Sequence, residues 1–392
     1  MGCRPLGECI ENVIDHRGLT PKKLGGDWAH SGHRALSAKN IKNGALVQEG
    51  SMNRVSDEMY YRWMTEEVER GDVFITSEAP FGEVLYWDSD EKLVLSQRIF
   101  GLKVNRDVCD SRYLYYWMRS PFFQGELRGR ATGTTVTGLR QPELLKCMVH
   151  LPPRDVQAAI AHILGTIDDK IMFNNQTNGY LAEIADALFT DAFGNLEDNA
   201  VLSDIANITM GQSPAGTSYN EEGVGTVFYQ GRGEFGWRYP TQRLFTTEPK
   251  RMAKSGDVLM SVRAPVGDLN LAYEDCCIGR GLVAISCDYP SYCLYLMRSL
   301  GNKLDAYNGE GTVFGSISGK ALKGIGIVLP GNDDIAAFEA MVAPIDAQIR
   351  CNETESRILS QLRDVLLPKL MSGEIDVSKV DLTQLNSHLS DY

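Results

Sequence analysis

Apolar residues along this chain follow two alternating rhythms. From Val156 onward, apolar or seam residues fall at Val156, Ile160, Ile163, Ile167, Ile171, Asn174, Asn178, Leu181, Ile184 and Leu188, in steps of three and four. A period near 3.5 held over several heptads predicts a long helix with a narrow seam, as in a coiled coil. The rhythm returns at Phe338, Met341, Ile345, Ile349, Asn352, Leu359, Leu362 and Leu366. A helix of about 40 residues would run roughly 60 Å, and the simplest partner for each helix is the other, packed antiparallel. Asn174 and Asn352 hold the same seam position in both. A polar seam residue can fix register at some cost in stability; the alternative is that both asparagines mark frayed spots. Two residues oppose a straight rod. Gly179 costs about 1 kcal/mol relative to Ala, and Pro344 about 3 kcal/mol with an expected kink or break.

Outside these stretches the apolar runs are short. Val73–Thr76, Leu93–Leu95, Val258–Ser261 and Leu282–Ile285 read as strands. Turns lie between them at Ala79-Pro80-Phe81-Gly82 and Ala264-Pro265-Val266-Gly267. Tyr113 to Met118 and Tyr292 to Met297 predict a short apolar helix, and Cys147 to Leu151 and Ile325 to Leu329 a closing strand. Prolines then lead into each long helix, where a missing N–H has no partner to lose.

These features occur in the same order twice. Gly71-Asp72-Val73 with Ala79-Pro80 returns as Gly256-Asp257-Val258 with Ala264-Pro265, 185 residues later. Tyr113 with Met118-Arg119-Ser120 returns as Tyr292 with Met297-Arg298-Ser299 at an offset of 179. Leu151-Pro152, Ile167-Asp168 and Asn174 return as Leu329-Pro330, Ile345-Asp346 and Asn352 at 178. The offset drifts only by loop-sized insertions, so one unit of about 180 residues is duplicated. The expected fold is α+β with a pseudo-two-fold internal repeat: a strand-rich mixed α/β head at 1–152, a long helix at 153–196, a second head at 197–330, a second long helix at 331–376 and a tail at 377–392.

Charge follows the same division. Residues 1–150 carry 20 Lys and Arg against 20 Asp and Glu, and 199–330 carry 12 against 12. The helical blocks 151–198 and 331–392 carry 2 against 8 and 5 against 11, so all of the net charge of −12 lies there. Heads of zero net charge can neutralise a polyanion only where their basic residues cluster on one face. With 43% hydrophobic and 23% charged residues, the composition is that of a soluble globular protein. No run approaches the roughly 18 apolar residues of a membrane span, no signal peptide is expected, and Leu6 breaks the myristoylation pattern. The nine cysteines are odd in number, scattered and free of Cys-x-x-Cys, which points to a reducing cytoplasm and away from a zinc ribbon.

Little in the chain suggests catalysis. Gly231-Arg232-Gly233-Glu234-Phe235-Gly236 matches a dinucleotide pattern by letters, but Trp237-Arg238-Tyr239-Pro240 follows instead of a helix. Asp72 with Asp90-Glu91-Lys92 resembles a metal-dependent nuclease arrangement, yet the second copy has Glu274-Asp275-Cys276 and no lysine. His30 and His33 have no ligand at metal-binding spacing and read as surface residues. Asp168-Asp169 and Asp333-Asp334 read as solvated charge. No adenine-methyltransferase tetrapeptide, Walker loop or helicase signature is present, so a non-catalytic two-headed binding protein is expected, with no cofactor or metal of its own.

The residues also carry a resemblance. Leu151-Pro152-Pro153, Ile163-Leu164, Ile167-Asp168-Asp169-Lys170-Ile171, Asn174-Asn175 and Ala187-Leu188-Phe189 resemble the central region of the specificity (S) subunit of type I restriction–modification enzymes. Leu366-Leu367-Pro368-Lys369-Leu370-Met371-Ser372-Gly373-Glu374-Ile375 is similar to that family's C-terminal region. Gly-Asp-Val, Ala-Pro-x-Gly and the Gly-Thr segments at 133–136 and 311–313 look like its target recognition domains, and the likeness runs from 1 to about 376. The resemblance implies that each head reads half of a bipartite, asymmetric double-stranded DNA site, and that the helical rods set the spacer. It implies two methyltransferase (M) subunits that bind S-adenosylmethionine, and restriction (R) subunits that use ATP and Mg. The isolated chain would bind DNA weakly, with the partners completing a clamp.

Candidate DNA contacts in the first head are Lys39, Asn40, Lys42, Arg128, Arg130, Thr134, Thr135 and Arg140. In the second they are Tyr229, Arg232, Arg238, Arg263, Arg280, Thr312 and Lys320. Arg and Asn suit bidentate contacts to guanine and adenine, whereas Thr and Lys more often hold phosphates. Glu78 stands where the second copy has Arg263, so the heads are expected to read different half-sites. A recognition subunit of a methyltransferase-only system, an independent metal-dependent nuclease and a non-DNA assembly scaffold are the alternatives.

Overall fold

The structure, a computed structural model, describes residues 2–133, 137–309 and 315–377. Contacts divide it into two compact units: one of residues up to Met172 and from Glu355 onward, the other Phe173–Thr354. The division cuts through both long helices, so each unit holds one head and half of each helix.

In unit 1 a four-stranded antiparallel sheet runs in the order Ile10–Ile14, Ile99–Val104, Val73–Thr76, Val84–Tyr86. Its central strands are buried on both faces, which is why Val73-Phe74-Ile75 reads as a continuous apolar run. A smaller sheet of Arg54–Val55, His33–Leu36 and Val94–Leu95 includes a parallel pair, Ala35 opposite Val94. Gly2–Pro5 pairs with Met148–Leu151 and brings the chain to the first long helix. The short helix Ser111–Arg119 starts under an Asp110 cap, whose carboxylate accepts from the Tyr113 amide at 2.9 Å.

Unit 2 repeats the main sheet order with Asn207–Met210, Leu282–Ser286, Val258–Ser261 and Leu269–Leu271. Ala200–Val201 pairs with Gly326–Ile327 in place of the first unit's terminal pair. The second sheet is larger, with five strands. Ala79-Pro80 and Ala264-Pro265 are both cis. Buried tyrosines tie each short helix to the strand before the long helix: Tyr113 Oη donates to the His150 carbonyl at 2.7 Å, and Tyr292 Oη to the Val328 carbonyl at 2.8 Å. The Gly-Asp-Val aspartates do matching work, Asp72 accepting from the Glu69 amide at 2.9 Å and Asp257 from the Lys254 amide at 2.8 Å.

The long helices span Arg154–Phe193 and Asn332–Ser372 without interruption. The expected break at Pro344 does not occur. Pro344 and Ala340, whose carbonyl loses its partner, both lie on the exposed face, where water can solvate the freed group. Gly179 likewise leaves its helix intact. In unit 1, Ile160, Ile163 and Leu164 share a core with Leu367, Leu370 and Met371, while Lys170 reaches Glu355 at 3.4 Å; one number rises as the other falls, so the helices run antiparallel. In unit 2, Ala185, Phe189 and Phe193 meet Ile335, Phe338 and Val342 in the same sense. The seam departs from its expected register after Asn178. Ala182, Ala185 and Phe189 are buried and Ile184 is exposed, because two successive steps of three fall behind a helix of 3.6 residues per turn. Met341 and Leu362 are also exposed, with Val342 and Leu367 taking the interior.

The seam asparagines meet inside unit 2. Asn352 Nδ2 donates to Asn178 Oδ1 at 2.8 Å, and Asn174 Nδ2 to the Asn352 carbonyl at 3.4 Å. A pairing across the two helices is what a register device requires and what fraying would lack.

Candidate nucleic-acid interface

Among the cavities of the first head, two polar ones of about 390 and 350 Å3 adjoin each other. The larger is lined by Trp28, Lys39, Asn53, Gln97 and Arg98, the smaller by Arg17, Glu78, Gln97, Arg98 and Arg140. They share Gln97 and Arg98, so they form one groove across the head. The turn between the strands ending at Leu95 and starting at Ile99 delivers this pair. Arg17 forks onto Asp15 through two contacts of 2.8 Å and lies 3.9 Å over the Phe100 ring. Burial pushes the Asp15 carboxyl up, but the hydrogen bonds from Arg17 outweigh it and hold the group below the usual carboxylate range.

Of the residues expected to touch DNA in this head, Lys39 and Arg140 line the groove, are exposed, and pair with no described carboxylate. Lys42 and Arg128 are exposed outside it. Arg130 is engaged by Glu126 at 2.9 Å and Glu143 at 3.6 Å. Asn40 is buried; its side chain accepts from Ser37 Oγ at 2.7 Å and donates to the Val47 carbonyl at 3.3 Å, which shapes the loop and leaves nothing for a base.

In the second head Arg263, Arg280 and Lys320 are exposed. The Arg263 backbone is bridged to Ser316 while its guanidinium pairs with no described carboxylate. Arg280 Nε donates to Ser213 Oγ at 3.4 Å. Arg232 is half-exposed and ion-paired with Asp268. Two candidates lie in the interior: Tyr229, and Arg238, which is paired with Asp346 and donates to Tyr295 Oη at 3.4 Å. A guanidinium so enclosed holds the head to the long helix and has no path to a duplex. Thr134, Thr135 and Thr312 lie outside the described residues.

The acidic pair expected to be solvated is engaged as well. Asp168 accepts from Tyr116 Oη and Arg363 Nη1, both at 2.7 Å, and Asp169 pairs with Arg112. Asp346, its counterpart, accepts from Tyr295 Oη at 3.0 Å. His33 is also less of a surface group than expected: it contacts Asp57 at 2.8 Å and stacks on Tyr60 at 4.3 Å. Among the described residues no group of three metal-ligating side chains occurs, and no helix is long and apolar enough to cross a membrane. Trp28, Asn53, Gln97 and Arg98 were not legible as site residues; the one signal was their place beside short apolar strands.

Comparison with known proteins bears on this geometry. A family model described as the type I restriction modification DNA specificity domain matches residues 33–182. The putative type I restriction enzyme MjaX specificity subunit of Methanocaldococcus jannaschii is 31% identical over 341 residues, 78% of this chain and 79% of that protein. The type I restriction enzyme MjaIX specificity subunit of the same organism is 22% identical over 349 residues, 79% of each. A crystal structure of the type I restriction-modification system S subunit from M. genitalium matches with a TM-score of 0.58 and 17% identity, covering 94% of this chain and 95% of that one, a likeness of fold.

Proposed function

Because the chain belongs to the specificity subunits of type I restriction enzymes, we propose that it reads a bipartite, asymmetric double-stranded DNA sequence, one half-site per head. The observation that carries this is one sheet order built twice, with different chemistry at matched surface positions: Glu78 in one head, Arg263 in the other. Equal scaffolds with unequal reading groups suit two different half-sites. The heads are the target recognition domains, 1–152 and 197–330; the helices at 153–196 and 331–376 act as an antiparallel coiled coil that sets the spacer under a pseudo-two-fold repeat, and 377–392 is a tail.

In this reading the chain performs no bond chemistry. Two M subunits supply methylation with S-adenosylmethionine, and R subunits supply ATP- and Mg-dependent cleavage, in the cytoplasm. Lys39, Lys42, Arg128, Arg140, Arg263, Arg280 and Lys320 are exposed cations suited to meet DNA. Guanidinium groups suit guanine edges and ammonium groups phosphates, and each good bidentate pair contributes about 1–3 kcal/mol of discrimination. Neutral heads gain little from counterion release, so the partner subunits supply much of the affinity.

The test is a single-base-resolution methylation map of DNA from cells with and without the gene. Loss of one bipartite motif on deletion supports the reading and reveals both half-sites. An unchanged map, together with no DNA binding when the M subunit is supplied, overturns it.

A further inference from the structure

We propose that Gln97 and Arg98 determine the specificity of the first head by reading a purine edge in the major groove of its half-site. The assignment rests on the reading of this chain as a DNA-recognition subunit and names residues to which no recognition role has been given. Both side chains are exposed and line both cavities of the groove. The backbone beneath them is pinned from two sides: the Ser77 amide donates to the Arg98 carbonyl at 2.8 Å, and the Ala38 amide to the Gln97 carbonyl at 3.2 Å. Arg98 takes a left-handed conformation, φ 67°, which a residue with a side chain adopts at a cost. The side chain that warrants that cost projects into the groove, where Glu78 Oε1 lies 3.0 Å from its Nε and aims the guanidinium.

The rest of the groove fits the same ligand. The side chains of Gln97 and Asn53 make no hydrogen bond to a described residue, which leaves two amides with donor and acceptor free for a base edge. Lys39 and Arg140 flank them as cations that pair with no described carboxylate and suit the phosphates, and Trp28 forms an apolar wall, 40% exposed and 6.1 Å from the buried Trp63 ring. Arg suits the O6 and N7 of guanine and Gln the N6 and N7 of adenine. In the second head the Val262 amide donates to the Gly281 carbonyl, the rung that Ser77 and Arg98 form in the first. No side chain stands at that rung, so the Arg98 contact belongs to the first head alone, while the exposed Arg280 takes the place of Gln97.

Arg98→Gly is the informative variant, since glycine accepts the left-handed backbone and only the guanidinium is lost. Placed with Gln97→Ala in the chromosomal gene, each is expected to leave one half-site and the spacer intact. Discrimination at one or two base pairs of the other half-site should fall by about 10- to 100-fold. Binding of the purified complex to the cognate duplex and to single-base variants gives the same ratio where methylation is too weak to map. Retention of both half-sites by both variants overturns the proposal, as does a uniform loss of binding to every duplex, which marks a phosphate contact or a structural role. A wild-type complex that shows no bipartite preference at all sinks instead the underlying assignment to DNA recognition.

Discussion

In the first head Glu78 is paired with Arg98; at the matched rungs of the second head stand Arg263, with no carboxylate partner among the described residues, and Gly281. Beneath these residues the second sheets differ, three strands against five, but the main sheet and its anchors match. The sheet order is the same, the buried tyrosine reaches the same carbonyl, and the aspartate of Gly-Asp-Val caps the same turn. The two copies have kept the groups that hold the backbone and exchanged those that face outward, the division expected where one scaffold serves two recognition tasks. The anchoring of each long helix shows a second kind of difference. Asp168 in unit 1 is held by Arg363 of the opposite helix; Asp346 in unit 2 is held by Arg238 of the head.

That second contrast yields the largest expected effect. Arg238 is more enclosed than Arg363, so Arg238→Met should strand Asp346 and cost about 3–5 kcal/mol in chemical denaturation. Arg363→Met should cost clearly less, and the double variant Arg238→Met with Asp346→Leu should recover most of the loss. Equal losses for the two single variants would erase the distinction between the anchors.

Residues that disfavour a helix stand in both halves of the helix pair, Gly179 and Pro344 in the half that belongs to unit 2, Gly165 and Pro368 in the half that belongs to unit 1. The helix runs through Pro344 on its exposed side, so Pro344→Ala should raise stability by as much as about 3 kcal/mol. A loss on substitution would mean that the proline fits its helix better than alanine does. On the recognition side, Arg263→Ala should weaken discrimination by about 1–3 kcal/mol at the second head's half-site only. A methylation map degraded equally at both half-sites would refute that assignment. Gly179→Ala is a smaller step, up to about 1 kcal/mol of stabilisation. A Cβ there meets nothing within 4 Å, so a destabilised variant would contradict the packing described.

The repeated order of elements, several strands of each head and the two long helices were legible because period and order survive in the letters. The seam slid by one residue after Asn178 because two successive steps of three, to the large apolar Leu181 and Ile184, were expected where the buried residues step by four and three to the small Ala182 and Ala185. Pro344 misled because propensity is local, while Phe338, Val342 and Ile349 bury the opposite side of the same helix and hold it together. Arg238 looked like a DNA contact because an arginine in an aromatic loop gives no sign that an aspartate 108 residues later will meet it. Arg98 was invisible for the opposite reason: its left-handed backbone is signalled by neither Gly nor Asn.

Where the heads agree, one substitution should act alike in both. Burial raises the Asp72 and Asp257 carboxyls above the ordinary range, against the backbone hydrogen bond each accepts. A raised folded-state pKa means that the ionised form is less favourable folded than unfolded, so charge at these sites lowers stability at pH 7. Asparagine keeps an acceptor for the Glu69 or Lys254 amide and removes the charge. Asp72→Asn and Asp257→Asn should therefore both gain stability at pH 7. The gain should shrink as pH falls through the carboxyl range and vanish near about pH 3, where the aspartates are protonated in both states. Denaturation midpoints for the pair across that range decide it. Gains of opposite sign, or a margin that widens toward acid, would show that the two caps differ where their hydrogen bonds match, and the shared scaffold would then begin higher in the sheet than these turns.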